Sequence, residues 1–92
     1  MTDMTTPATH TDVVKRLKRA TGHLLSVFGM IEAGRPCTDI AQQLHAVEKA
    51  IAQAKRTLIQ DHIDHCLDAA MTGDDPDGPS AIAELKAIVK YL

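Results

Sequence analysis

The 92-residue chain contains no tryptophan, a single phenylalanine (Phe28) and a single tyrosine (Tyr91). Any core must therefore be filled by Ala, Leu, Ile and Val, which suits close-packed helices. Its two cysteines, Cys37 and Cys66, stand 29 positions apart and make no secreted disulfide framework. No run approaches 18 apolar residues, so no membrane span is expected, and the N-terminus lacks the continuous apolar stretch of an export signal. The expected location is the cytoplasm, where thiols stay reduced and free to bind metal or to react. No carboxylate pair, phosphate loop or evident triad is present, and an enzyme is not expected.

Charge is also short of one sign, but only locally. The net charge is −2, yet residues 1–60 carry eight Lys/Arg against five Asp/Glu, and residues 61–92 carry two against seven. A basic first part can meet a polyanion despite the acidic total. At 92 residues the chain is one small domain, burying only about 60–65% of its unfolded surface as a monomer. Sharing a core with a second copy is the natural remedy.

The apolar pattern is helical throughout. Val13, Leu17, Ala20, Leu24, Val27 and Ile31 step 4, 3, 4, 3, 4, a heptad seam. Phe28 widens that face, and Gly22 and Gly29 suit a close helix approach. Lys15, Arg16, Lys18 and Arg19 crowd the opposite face. Ala33-Gly34-Arg35-Pro36 is a stop signal. Ile40, Leu44, Val47, Ile51, Ala54 and Leu58 then repeat the same stepping on a long second helix, with Lys49, Lys55 and Arg56 off its seam. A Gly/Pro/Asp loop follows Met71, and Ile82, Leu85, Ile88, Val89 and Leu92 mark a short third helix. The expected organisation is all-α: a flexible tail over 1–9, then one domain over 10–92 with helices at about 12–33, 38–72 and 80–91. Thr11 or Asp12, Thr38 or Asp39, and Ser80 are the expected N-caps.

The residues that carry chemistry sit at the two ends of the second helix. Continuing its seam by fours reaches His62 and then Cys66, one turn apart on one face. Cys37 stands just before the helix. The 25 positions from Cys37 to His62 take about 37 Å of straight helix, too far for one ion to touch both in one chain. Two copies packed antiparallel would bring Cys37 of one beside His62 and Cys66 of the other, twice. A site built from these three residues is thus an intersubunit site. Thiolates and imidazole suit copper(I), zinc and nickel, and two thiolates with one imidazole make a low-coordinate set fitting copper(I). His10 could complete an S2N2 set suited to nickel(II). His65 turns about 100° from Cys66 and belongs beside the site or in solvent; His23 and His45 are expected to be structural or surface residues.

The words RLKRATGH, MIEAGRPC, QQLHAV and DHIDHC resemble the family of small all-helical metal-sensing repressors typified by the copper-sensitive operon repressor CsoR, with the nickel/cobalt sensor RcnR and the formaldehyde sensor FrmR among its relatives. The resemblance spans about residues 13 to 92. Its copper(I) ligand pattern matches Cys37, His62 and Cys66, and its outer-shell glutamate matches Glu84. It implies an antiparallel dimeric helical bundle that pairs into a homotetramer, binds operator DNA when metal-free and releases it on sensing metal. Two positions depart from the family: a supporting tyrosine before the first cysteine is Pro36 here, and a basic DNA-contacting position on the second helix falls on Gln53. DNA contact is left to Lys15, Arg16, Lys18, Arg19, Lys49, Lys55 and Arg56. There is no helix-turn-helix or zinc-finger signal, so binding would rest on phosphate neutralisation and DNA shape.

The expected function is a metal-responsive repressor, with copper(I) placed narrowly ahead of nickel(II) or cobalt(II). The alternatives are a nickel/cobalt repressor using His10, a thiol-based aldehyde or persulfide sensor acting through Cys37, and a metal buffer without a DNA role. Cys37 beside a helix N-terminus and Arg35 has the setting of an activated thiolate.

Overall fold

A computed structural model of the protein describes residues 8–72 and 78–92. Three helices follow one another: α1 (Ala8–Glu32), α2 (Cys37–Thr72) and α3 (Gly78–Val89), with no strand among the described residues. The chain divides into two compact units, the first ending at Ala54 and the second beginning at Lys55. The helix α2 runs through both. Most of the expected tail, and the loop at 73–77, lie outside the described residues.

In the first unit α1 and the first half of α2 form a helical hairpin. Its buried residues are Val13, Ala20 and Val27 on α1 and Val47 and Ala54 on α2. They recur every seven positions. These are alternate members of the two expected seams. Of the other members, Leu17, Ile31, Leu44 and Ile51 are exposed, and Leu24 and Ile40 are half-buried. A two-helix hairpin has one narrow contact line and can cover only part of a heptad stripe.

The connection between the helices is closed by hydrogen bonds and one glycine. Arg35 N–H donates to the Met30 carbonyl at 3.0 Å and Gly34 N–H to the Ile31 carbonyl at 3.1 Å. This is the Schellman arrangement, and Gly34 takes φ 71° at its turning point. A side chain there would bring Cβ against the backbone, which is why the stop signal needs glycine. Ile40 N–H then donates to the Pro36 carbonyl at 3.1 Å, so α2 starts at Cys37, a residue before the expected cap.

Three local expectations change. The first helix begins at Ala8 rather than at about residue 12. Asp12 is not its cap; its carboxylate takes the Arg16 Nε–H at 2.7 Å, an i,i+4 pair that works inside a helix. Gly22 and Gly29 make no close approach within the chain, since a Cβ on either would meet nothing within 4 Å. The third helix starts at Gly78, with Pro79 in its first turn, where a missing N–H costs nothing; Ser80 lies inside it.

In the second unit the later part of α2 and α3 are the described elements. Ile59 is its buried residue, with Ile63, Leu85 and Ile88 half-buried. The chain ends in a tight turn, Tyr91 N–H donating to the Ile88 carbonyl at 3.0 Å. Lys90 Nζ sits 5.4 Å from the Tyr91 ring centre, a cation–π distance.

Candidate metal site and nucleic-acid face

The four-residue spacing on α2 does what helical geometry requires. His62 Nε2 lies 3.6 Å from Cys66 Sγ, and both side chains are half-buried. The same Nε2 lies 3.5 Å from Oε1 of Glu84 on α3. The Glu84 side chain is otherwise well exposed. A carboxylate beside an imidazole nitrogen helps to fix the orientation of the ring.

Cys37 is exposed and opens α2 in the first unit. Among the described residues, no three His, Cys, Asp or Glu side chains of one chain are grouped to hold a metal ion. What one chain brings together is the pair His62 and Cys66, with the Glu84 carboxylate beside the imidazole.

The remaining histidines divide by environment. His65 is exposed and faces Asp61, not Cys66: its Nδ1 is 2.8 Å from the Asp61 carbonyl and 3.5 Å from the Asp61 carboxylate. The backbone carbonyl first, and the carboxylate second, raise its pKa above the ordinary 6.5. His23 is the one that sequence reasoning placed too loosely. Its Nε2 meets Gln43 Oε1 at 2.7 Å, tying α1 to α2. No spacing rule announces that pair, because it crosses a helix connection. His45 is exposed, 3.7 Å from Glu48. His10 lies within α1 and lines a shallow cleft with Thr11, Val14, Lys15 and Lys18.

The basic run on α1 is not a single patch. Lys15 and Lys18 border the His10 cleft, whereas Arg16 and Arg19 line a different groove with Ala20, His23, Ala50 and Gln53. At 100° per residue, positions 15 and 18 share one side of a helix, and 16 and 19 share the next. The Arg16–Arg19 groove has a volume of about 210 Å³ and contains Gln53. Lys49, Lys55 and Arg56 are exposed on α2. Arg35 pairs with Asp39 at 3.4 Å across the start of that helix.

Sequence comparison decides what kind of molecule carries this arrangement. Residues 9–91 match the family described as metal-sensitive transcriptional repressor. The chain belongs to that family. Among its relatives, the copper-sensing transcriptional repressor CsoR of Bacillus subtilis (strain 168) is 38% identical over 79 residues, covering 85% of this chain and 75% of that protein. The copper-sensing transcriptional repressor CsoR of Mycobacterium ulcerans (strain Agy99) is 37% identical over 78 residues, covering 85% of this chain. The chain spans 65% of the length of that mycobacterial relative. The solved structure of the nickel-responsive transcriptional regulator InrS is 27% identical, matches over 100% of both chains and superposes with a TM-score of 0.78. The family is regulatory rather than enzymatic. No helix of the described residues is long and apolar enough to cross a membrane.

Proposed function

We propose that this protein is a cytoplasmic, metal-responsive transcriptional repressor that holds operator DNA when metal-free and releases it when a transition metal binds. The observation that carries the reading is the half-site on α2: His62 Nε2 at 3.6 Å from Cys66 Sγ, with Cys37 opening the same helix. A helix rises about 1.5 Å per residue, so Cys37 serves a second copy, and each ion would be held by Cys37 of one copy and His62 and Cys66 of another. Two thiolates and an imidazole suit a soft ion. Copper(I) is placed first, in keeping with the copper-sensing relatives. The nickel-responsive structural relative supports a second reading, in which His10 joins the set for nickel(II).

A second copy also answers a packing problem. In the first unit Leu17, Phe28, Ile31, Leu44 and Ile51 are each between 40% and 55% exposed, and exposed apolar surface of this kind marks an interaction site. An antiparallel dimer, and a tetramer built from two such dimers, would cover it. The basic residues Lys15, Arg16, Lys18, Arg19, Lys49, Lys55 and Arg56 would then neutralise DNA phosphates, with the steep salt dependence that follows. Metal that joins two copies at fixed points favours one offset between their helices. If that offset tilts the basic faces apart, metal and DNA oppose each other. A tenfold loss of DNA affinity requires about 1.4 kcal/mol of such coupling.

Fluorescence anisotropy of labelled operator DNA, titrated with the protein with and without copper(I) or nickel(II), tests this. The expected result is tight metal-free binding that weakens with metal. Unchanged DNA affinity at saturating metal would refute the reading.

A further inference from the structure

The groove between α1 and the first half of α2 has the chemistry of a seat for one phosphate group. It lies wholly in the first unit and is lined by Arg16, Arg19, Ala20, His23, Ala50 and Gln53, around a volume of about 210 Å³. The four α1 residues stand at i, i+3, i+4 and i+7, and Ala50 and Gln53 are one turn apart on α2, so helical spacing gathers each set on one wall. Small side chains at Ala20 and Ala50 leave the space open. His23 Nε2 donates to Gln43 Oε1 at 2.7 Å, a bond that joins the two helices and holds the walls together. Asp12 Oδ2 takes the Arg16 Nε–H at 2.7 Å, and the guanidinium has further N–H groups on both Nη nitrogens. Arg16 and Arg19 bring two positive charges and Asp12 cancels one, so these guanidinium and carboxylate groups sum to +1. A phosphodiester balances that charge; a dianion such as sulfate does not.

We infer that this groove is a discrete binding site for a singly charged phosphate group, which accepts charge-assisted hydrogen bonds from Arg16 and Arg19 and a neutral one from the Gln53 amide. The repressor reading needs only diffuse neutralisation by basic residues spread over α1 and α2. A discrete seat goes beyond it, because Lys15 and Lys18 border a different cleft and take no part. The same chemistry has two sources, the backbone of DNA and a free phosphodiester, and either would exclude the other from the groove.

The test titrates dimethyl phosphate, and separately sulfate, into the isotopically labelled full chain at constant ionic strength, with nuclear magnetic resonance following the backbone amides. The expected result is saturable binding of dimethyl phosphate, tighter than that of sulfate, with shifts confined to the groove residues and Gln43. Ala50→Leu puts a larger apolar side chain into the groove without a change of charge and at nearly equal helix propensity; Gln53→Glu puts a carboxylate there. Each should weaken dimethyl phosphate binding about tenfold or more, as the loss of one charge-assisted hydrogen bond would. Circular dichroism confirms that both variants, altered at exposed positions, keep their helices. Anisotropy with labelled operator DNA then separates the sources. A similar loss of DNA affinity in both variants assigns the seat to a backbone phosphate, and unchanged DNA affinity assigns it to a free phosphodiester; both outcomes support the site. Non-saturable binding, shifts spread over all the basic residues, tighter binding of sulfate, or an Ala50→Leu variant that binds like the parent would overturn the inference. Failure of the unaltered chain to bind operator DNA would overturn the repressor reading and leave the phosphate titration to judge the groove.

Discussion

Replacing Ile51 by alanine tests the proposed dimer where the chain is most informative. Val47 and Ile51 are neighbours on α2, one turn apart, yet Val47 is 4% exposed and Ile51 is 45% exposed. The first is covered by its own chain; the second, on the proposed reading, is covered by another. Fully burying an isoleucine contributes about 1.5–3 kcal/mol, so covering the 45% left open contributes about 0.7–1.4 kcal/mol per copy. A two-fold dimer uses the position twice, and the change should weaken association by about 1.4–2.7 kcal/mol, or roughly 10- to 100-fold. Alanine favours helix over isoleucine by a few tenths of a kcal/mol, so α2 itself should persist. Sedimentation equilibrium reads the dissociation constant, and circular dichroism the helix content. A variant with unaltered association would show that the exposed half of the seam does not hold copies together. Val47→Ala serves as the opposite control, lowering thermal stability more than it lowers self-association.

Three further outcomes are expected. Cys37→Ala and Cys66→Ala variants should each bind metal poorly, but a mixture allowed to exchange subunits should regain one complete site per mixed dimer; a mixture no better than its components would argue against donors shared between copies. Gly34→Ala forces a Cβ into a φ of 71° and should cost about 1–2 kcal/mol, seen as a fall in Tm of about 4–8 °C per kcal/mol. His65 carries a raised pKa in the folded chain, so the stability it contributes is fully present below the ordinary value of 6.5 and is lost as pH rises through the folded-state pKa. Nuclear magnetic resonance titration should place its midpoint above 6.5, and His65→Ala should flatten the pH dependence of unfolding in that window. A midpoint at or below 6.5 would remove the Asp61 interaction from the account.

The helices were legible because nothing in the chain competes with a 4-3-4 apolar stepping. The turn at Gly34 was legible too, since Gly followed by Pro two residues on has few other meanings. What periodicity does not encode is the width of the contact. Val13, Ala20 and Val27 look no different in pattern from Leu17 and Ile31, yet only the first three are buried. The distinction depends on how many helices surround the stripe, which is a property of the assembly. The start of α1 was misplaced because Thr11 and Asp12 are good caps; Asp12 bonds to Arg16 instead, and the i,i+4 spacing that permits this was visible in the sequence. The nearness of His62 and Cys66 followed from their spacing. That of His62 and Glu84 did not, because it crosses the connection between α2 and α3. Only the family resemblance pointed to Glu84, as a residue beside the site, and its carboxylate lies 3.5 Å from His62 Nε2.

A divided donor set also has a thermodynamic consequence. If a single chain held a complete site, metal would bind each subunit alike in the DNA-bound and free states, and a ligand of equal affinity for both shifts nothing. On the proposed reading, donors split between Cys37 and the His62–Cys66 pair make metal affinity depend on how two copies are aligned, and so give metal a preference between alignments. The size of the response is then set by how far the metal concentration exceeds its Kd. A metal that binds only the DNA-free arrangement stabilises it by RT ln(1 + [metal]/Kd), about 2.7 kcal/mol per site at a hundredfold excess over Kd. That is about a hundredfold loss of DNA affinity per site, and the product of the two when both symmetric sites of a dimer fill. The same linkage runs backwards: operator DNA must weaken metal binding by the same factor. A sensor of this design is thus tuned by two quantities, the intrinsic affinity of the joined donors and the free energy separating the two alignments. Residues far from any donor, such as Ile51 in the exposed seam, can alter the second without touching the first.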